Sequence, residues 1–396
     1  MYKLRVVRSR IIVFVGGYER KSHEAFFRRL NKQAAVSAKT WDTHIEAGHV
    51  RYLDGERVAS CAYYLRDPSG VSCETDFHFL DIDGWVQADN QRSAMVRLGH
   101  YLRSFADYMV SGTGFRFFAT NWRFALYFLY PFSAVLLSVL AGWIVGRLAG
   151  QLVVVMGLVG GMAATILLLF FLNRRYFLLH LMDLWSFSAD YIRQRRPLVR
   201  KQLDAWGAYV AQLQADHDVD EILLVGHSTG GAIILDVAAS AARACRARDV
   251  EPKFTIMTVG STSLKIGLHP AARWYADAIA ELEANAHVHW FEYQSLTDLI
   301  NFYRCDPFAL MGVEKSRAAP FPAFQQVRMS HMLDRPFYRQ IQFNLLRVHY
   351  QFISGNTQRY FYDFPIICFG ALSLADRFEF EREAVGVVSK KQVGIS

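Results

Sequence analysis

Glu221-Ile222-Leu223-Leu224-Val225-Gly226-His227-Ser228-Thr229-Gly230-Gly231 is the stretch that decides how this chain reads. Glu221–Val225 is a largely apolar run of strand length. Gly230–Ala244, rich in Ala, Ile and Val, has the length and composition of a buried helix. Between them lies Gly-x-Ser-x-Gly. In a chain with 26 glycines the motif alone is a weak signal. The strand before it and the helix after it raise its weight, because a nucleophilic serine on a strand–turn–helix elbow needs that context. The turn is sharp, and Gly226, Gly230 and Gly231 supply small neighbours that relieve crowding. The hydroxyl is then expected above the sheet, and the start of the helix favours negative charge there.

Working outward, the C-terminal flank alternates strand and helix. Leu198–Ala215 reads as an amphipathic helix, Phe254–Val259 as a strand, and Pro270–Asn285 as a helix with proline in its first turn. Val288–Tyr293 reads as a further strand and Phe324–Met329 as the last one. The N-terminal flank offers an apolar strand at Arg10–Val15 ended by Gly16-Gly17, and a helix near Glu24–Leu30. Strands follow at Val58–Leu65 and Asp76–Ile82, then a helix over Gln91–Tyr108. This pattern predicts an α/β fold whose mostly parallel sheet is covered by helices on both faces. There is no internal repeat and no low-complexity linker, so the two flanks are expected to build one sheet.

The middle of the chain is different. Phe124–Val145 and Leu152–Leu172 carry no charged residue. Each exceeds or meets the roughly 20 apolar residues that a helix needs to cross a bilayer. Gly146–Gln151 is a short turn between them, so the two helices should form an antiparallel hairpin. Gly142, Gly146, Gly157, Gly160 and Gly161 would let them approach closely. Arg116, Arg123, Arg174 and Arg175 flank the outer ends, with Arg193, Arg195 and Arg196 beyond, whereas the turn carries only Arg147. The positive-inside rule therefore predicts an integral protein of an inner or plasma membrane with both soluble parts cytoplasmic. Trp122, Tyr127, Tyr130 and Tyr176 stand where interfacial aromatics are expected. The alternative is a pair of buried core helices. The basic run Arg193–Lys201 is read as a segment near anionic lipid or as a solvated helix start.

Composition agrees with a cytosol-facing globular part. Hydrophobic residues make up 52% of the chain, enough for a large core, and the net charge of +8 is modest for 396 residues. No helix-turn-helix, zinc-finger or RNA-recognition signature accompanies the positive charge, so nucleic acid is not an expected partner. Cys61, Cys73, Cys245, Cys305 and Cys368 are odd in number and lack metal-ligand spacing, which favours reduced thiols. The opening residues Met1–Arg5 lead into a short strand-like run and lack a signal-peptide pattern. His287 and His289 alternate on a strand, but no third ligand completes a metal set. Burial against a helix is the expectation for both.

The strand, Gly226-His227-Ser228-Thr229-Gly230-Gly231 and the following helix resemble the nucleophile elbow of α/β-hydrolase-fold lipases and esterases. The element order of both flanks is similar to that fold, and the membrane hairpin is an insertion in it. The resemblance implies residues 1–115 and 181–396 as two parts of one hydrolase domain. Residues 116–180 are the insertion, with spans at 124–145 and 152–172. It implies Ser228 as nucleophile and an oxyanion hole from the Thr229 amide and the amide of Tyr18 or Gly17. The sequence departs from the family by having Gly16 where histidine is common. The family order of serine, acid, histidine implies Asp298 as the acid, with Asp306 the competitor. His349 is the base, with His331 the alternative. His349 resembles the family in the aromatic that follows it; His331 has the better distance from the last strand. No metal and no cofactor are implied. The expected activity is hydrolysis of an acyl ester, with a lipid or long-chain acyl substrate. Acyl transfer on the same fold and a non-catalytic membrane scaffold are the alternatives.

Overall fold

Both flanks do contribute strands to one sheet. The structure, a computed structural model, describes residues 6–383 apart from 54, 56, 152 and 153. Met1–Arg5 and Leu152, the first residue of the expected second span, lie outside the described residues. The described strands are β1 (Ser9–Val15), β2 (His44–Ala47), β3 (Arg51–Leu53), β4 (Val58–Arg66) and β5 (Ser72–Leu80). After them come β6 (Glu221–His227), β7 (Phe254–Val259), β8 (Val288–Gln294) and β9 (Ala323–Gln326). Their order is β2-β4-β5-β1-β6-β7-β8-β9, with β3 also on β4. From β5 to β9 every neighbour is parallel. β2, β3 and β4 add antiparallel pairs, so the sheet is mixed. The β4–β5 reversal has a local cause. The Asp67 carboxylate accepts from the Ser69 and Val71 amides, and Gly70 takes a φ of 90°. That tight turn permits only an antiparallel neighbour.

The described helices used below are α1 (His23–Trp41), α2 (Asp83–Asn90), α3 (Ala94–Val110), α4 (Thr113–Thr120), α5 (Trp122–Ala149), α6 (Val154–Tyr176), α7 (Leu178–Ile192), α8 (Pro197–Asp216) and α9 (Thr229–Arg246). The chain divides into two compact units. One comprises residues 1–87, 197–267 and 272–396; the other comprises 88–196 and 268–271.

The first unit holds the sheet. Its central strands are apolar on both faces, as strands covered on both sides must be: six of the seven residues of β6 are buried. α1 lays Phe26, Phe27, Leu30 and Ala34 into the core. Phe26 stacks on Phe79 with centroids 4.2 Å apart and on Phe14 at 5.1 Å. Ser22 caps the helix by accepting the Ala25 amide. Arg10 is fully buried at the start of β1. Its guanidinium bonds Glu221 at 2.7 Å and donates to the carbonyls of Ile367, Cys368, Gly370 and Leu372, which fastens the C-terminal segment to the sheet. All five cysteines are buried and free.

The second unit is helical and larger than the hairpin read from sequence over 116–180. It takes in α3 and α7 as well. Trp185 of α7 is its hub, packing edge-on to Phe128 at 4.8 Å and to Tyr108 at 5.5 Å. α5 and α6 are long and apolar enough to cross a membrane. Both expose long apolar stretches: Leu136 and Trp143 of α5 and Leu158 and Leu167 of α6 are each more than 60% exposed, and along α6 only Gly157 is buried among the described residues. The glycines hold the pair together. A Cβ on Gly161 would lie 2.7 Å from the Gly142 carbonyl oxygen, and one on Gly157 would lie 2.6 Å from that of Gly146. Gly160 takes no part, since a Cβ there meets nothing closer than Ala149 Cβ at 3.8 Å. α5 runs on through Arg147 to Ala149, so the turn begins later than the sequence suggested.

Candidate active site

Four neighbouring parallel strands, β1, β6, β7 and β8, end at the same edge of the sheet. The loops just beyond them carry Gly17 and Tyr18, Ser228, Gly260 and Asp298. Residues distant in sequence meet there because parallel strands bring their carboxyl ends to one side.

Ser228 follows β6 directly, with φ 58° and ψ −124°. A positive φ at a residue with a Cβ is strained by about 1–3 kcal/mol and persists only where its surroundings dictate it. They do so here. The Ser228 amide donates to the Val259 carbonyl at 3.2 Å, and its own carbonyl accepts from the Gly231 and Thr262 amides at 3.0 Å and 3.1 Å. The motif glycines are needed for contact. A Cβ on Gly230 would sit 2.2 Å from the Val15 carbonyl oxygen; on Gly226, 2.5 Å from that of Gly230; on Gly231, 2.5 Å from Ser261 Oγ. Helix α9 is thereby pressed against the ends of β1 and β6, and Ser228 is left half-buried at its start.

Asp298 and His349 meet. His349 lies on the short helix Leu345–Tyr350, whose N-cap Asn344 accepts the Arg347 amide. Its Nδ1 is 2.8 Å from Asp298 Oδ2, and both side chains are almost wholly buried. Asp298 Oδ1 accepts the Ile300 amide at 3.0 Å. With Nδ1 engaged by the carboxylate, Nε2 is the ring nitrogen left over. That atom is buried and has no hydrogen-bond partner among the described residues. Gly260, at φ 53°, makes room for the ring: a Cβ there would approach His349 Cε1 to 3.1 Å and Phe352 to 2.8 Å. Ser228 therefore bonds Val259 and His349 packs on Gly260, adjacent residues at the end of β7.

The alternatives from sequence lie elsewhere. His331 is exposed, on the helix Met329–Met332, with its ring edge-on to Tyr360. Asp306 caps the helix Pro307–Met311 and pairs with Lys315 at 2.8 Å. His287 and His289 are exposed instead of buried against a helix. They sit at the amino end of β8, beside an open groove of about 720 Å³ that His217 also lines.

Of the expected oxyanion residues, Gly17 lies against the serine. A Cβ on Gly17 would be 3.2 Å from Ser228 Cβ and 3.5 Å from its Oγ. The first amides of a helix have no partner within it, and Thr229 opens α9. Tyr18, next in the chain after Gly17, is buried. The next residue, Glu19, ties this loop to the histidine segment by accepting from the Tyr350 hydroxyl. Arg29 stacks over the Tyr350 ring at 4.2 Å.

Two further residues were not legible beforehand. His227 packs its ring 4.6 Å from that of His349, and its Nε2–H donates to the His349 carbonyl at 3.2 Å. Burial drives its pKa well below the ordinary histidine value. It is a neutral support for His349. Lys265 is buried with Nζ 3.0 Å from Thr229 Oγ1, and desolvation lowers it to about 7. A lone lysine in a loop looks solvated in sequence; only its proximity to the motif, after Ser261-Thr262-Ser263, hinted otherwise.

No protein-family model matches the chain, and neither a curated protein nor a solved structure shows significant similarity to it.

Proposed function

We propose that this chain is a membrane-anchored serine hydrolase of α/β-hydrolase type that cleaves an acyl ester. The observation that carries the reading is a strained Ser228 at a glycine-bound elbow together with a buried His349–Asp298 pair, the serine bonded to Val259 and the histidine ring packed on the adjacent Gly260. In this reading Ser228 Oγ attacks the ester carbonyl carbon while its proton passes to His349 Nε2. The Thr229 amide and the Gly17 or Tyr18 amide hold the oxyanion. His349 returns the proton to the leaving alkoxide and the alcohol departs. Water, deprotonated by His349, then attacks the acyl-enzyme, and the carboxylic acid leaves as Ser228 recovers its proton. Asp298 holds the productive tautomer and stabilises the imidazolium.

α5 and α6 anchor the enzyme, and the arginine bias at their ends puts both soluble parts on the cytoplasmic side. An enzyme fixed to a bilayer suits lipid or long-chain acyl esters. The test is hydrolysis of p-nitrophenyl esters of graded chain length by the full chain in detergent. Turnover that disappears in Ser228→Ala supports the proposal. Turnover that Ser228→Ala retains, or none by a folded wild type on any ester, contradicts it.

A further inference from the structure

Helix α3 is inside out for a helix in water. Most of its polar side chains reach toward the protein. Arg97 Nη2 and the Tyr101 hydroxyl bond the buried Asp183 carboxylate of α7 at 2.6 Å and 2.7 Å. Ser104 and Tyr108 are buried on that side, and Arg103 reaches Asp190 of α7 at 2.5 Å. The opposite side is apolar and bare: Met95 is 78% exposed, Leu98 47%, Leu102 63% and Val110 89%. With Gly99 and Ala106 between them, these positions recur at three- and four-residue steps and form one stripe. α4 is largely apolar on both sides. Thr113, Gly114 and Phe117 are buried, while Phe115 and Phe118 are 66% and 43% exposed.

A solvated amphipathic helix turns its apolar stripe inward, so exposed stripes on two successive helices mark an interaction surface. Continuity identifies the occupant. Only Asn121 separates α4 from α5, and Trp122, 59% exposed, opens the membrane-spanning helix. Arg116 and Arg123 stand among these aromatics, which matches an anionic headgroup layer over acyl chains. We propose that α3 and α4 lie in the headgroup–acyl boundary of the bilayer that α5 and α6 cross, with Met95, Leu98, Leu102, Phe115 and Phe118 inserted among the acyl chains. The inference rests on the membrane reading of α5 and α6, and it extends the membrane contact to a second pair of helices.

The test is single-cysteine labelling with an environment-sensitive fluorophore. The five native cysteines are buried, so an added surface cysteine is the preferred target. The full chain is reconstituted into vesicles of phosphatidylcholine and phosphatidylglycerol, with or without nitroxide-labelled lipid. Leu98→Cys, Leu102→Cys and Phe118→Cys report on the stripes, Leu136→Cys and Leu167→Cys on the spans, and Arg28→Cys on water. A stripe buried about 5–10 Å below the headgroups lies within reach of acyl-chain nitroxides, so its labels should lose about half or more of their emission. Quenching at 136 and 167 but not at 98, 102 and 118 overturns this inference and leaves the spans intact. Absence of quenching at all five overturns both. Stripe labels shielded from water yet insensitive to nitroxide lipid would mean a protein cover, and that also overturns it.

Discussion

Asp298→Asn should nearly abolish activity without loosening the fold, for a reason visible in two hydrogen bonds. Asp298 Oδ1 accepts the Ile300 amide at 3.0 Å, and Oδ2 accepts His349 Nδ1–H at 2.8 Å. An asparagine in the same site must give its carbonyl oxygen to Ile300, because that partner is an N–H. Its amide nitrogen then faces His349 Nδ1 and donates to it. The imidazole is thereby locked with its proton on Nε2, the atom that the proposed mechanism requires to accept the serine proton. Loss of the correct tautomer costs about 10⁴ in kcat where such triads operate, equivalent to about 5 kcal/mol of transition-state stabilisation. The assay is the rate of ester hydrolysis and of fluorophosphonate labelling, with the thermal midpoint measured in parallel. Asp298→Ala is the companion. It donates no hydrogen bond to Nδ1, leaves the tautomer free, and should be no slower than the asparagine. Retention of more than about a tenth of wild-type turnover by Asp298→Asn would refute the argument, since a wrong tautomer leaves only the residual catalysis of binding and oxyanion stabilisation.

Gly230→Ala drives a Cβ to 2.2 Å from the Val15 carbonyl oxygen and should cost about 1–3 kcal/mol or more. Gly16→Ala in the facing loop meets nothing closer than 3.7 Å and should leave the thermal midpoint unchanged. In the hairpin, Gly161→Val should lower thermal stability in detergent and Gly160→Val should not, because only the former faces a carbonyl oxygen at 2.7 Å. Lys265→Met should change the pH dependence of stability. The folded state loses the Lys265 proton as pH rises through about 7, whereas the unfolded chain keeps it to the ordinary 10.5. The unfolded state therefore binds more protons in that window, so this lysine makes stability rise with pH there, by a ceiling of about 5 kcal/mol. Methionine should raise the midpoint at pH 7 and flatten that rise, as followed by differential scanning fluorimetry.

The elbow was legible because its signal is local: an apolar strand, three glycines and an apolar helix adjoin in sequence. The position of Asp298 was legible because it follows a clear strand. That His349 and not His331 would pair with Asp298 was not legible, because it turns on where β9 ends. The sequence run Phe324–Met329 looks like one strand. In the structure β9 stops at Gln326, and Met329 opens a short helix that leaves His331 exposed. β2 and β3 escaped notice because their residues are mostly exposed and lack an alternating apolar pattern. α3 read simply as a helix. Its inverted polarity emerges only when Arg97 and Arg103 are seen to meet Asp183 and Asp190, more than 80 positions away. The burial of Lys265 is likewise a tertiary fact.

Ser228 as a nucleophile is the claim on which the proposed mechanism depends. The most direct measurement is mass spectrometry of the full chain after reaction with a fluorophosphonate. The account predicts a single covalent adduct on the peptide containing Gly226–Gly230, formed on Ser228 Oγ. The adduct should be missing in Ser228→Ala and much slower to form in His349→Ala. A folded wild-type protein that takes up no adduct, or carries it on another residue, would contradict it.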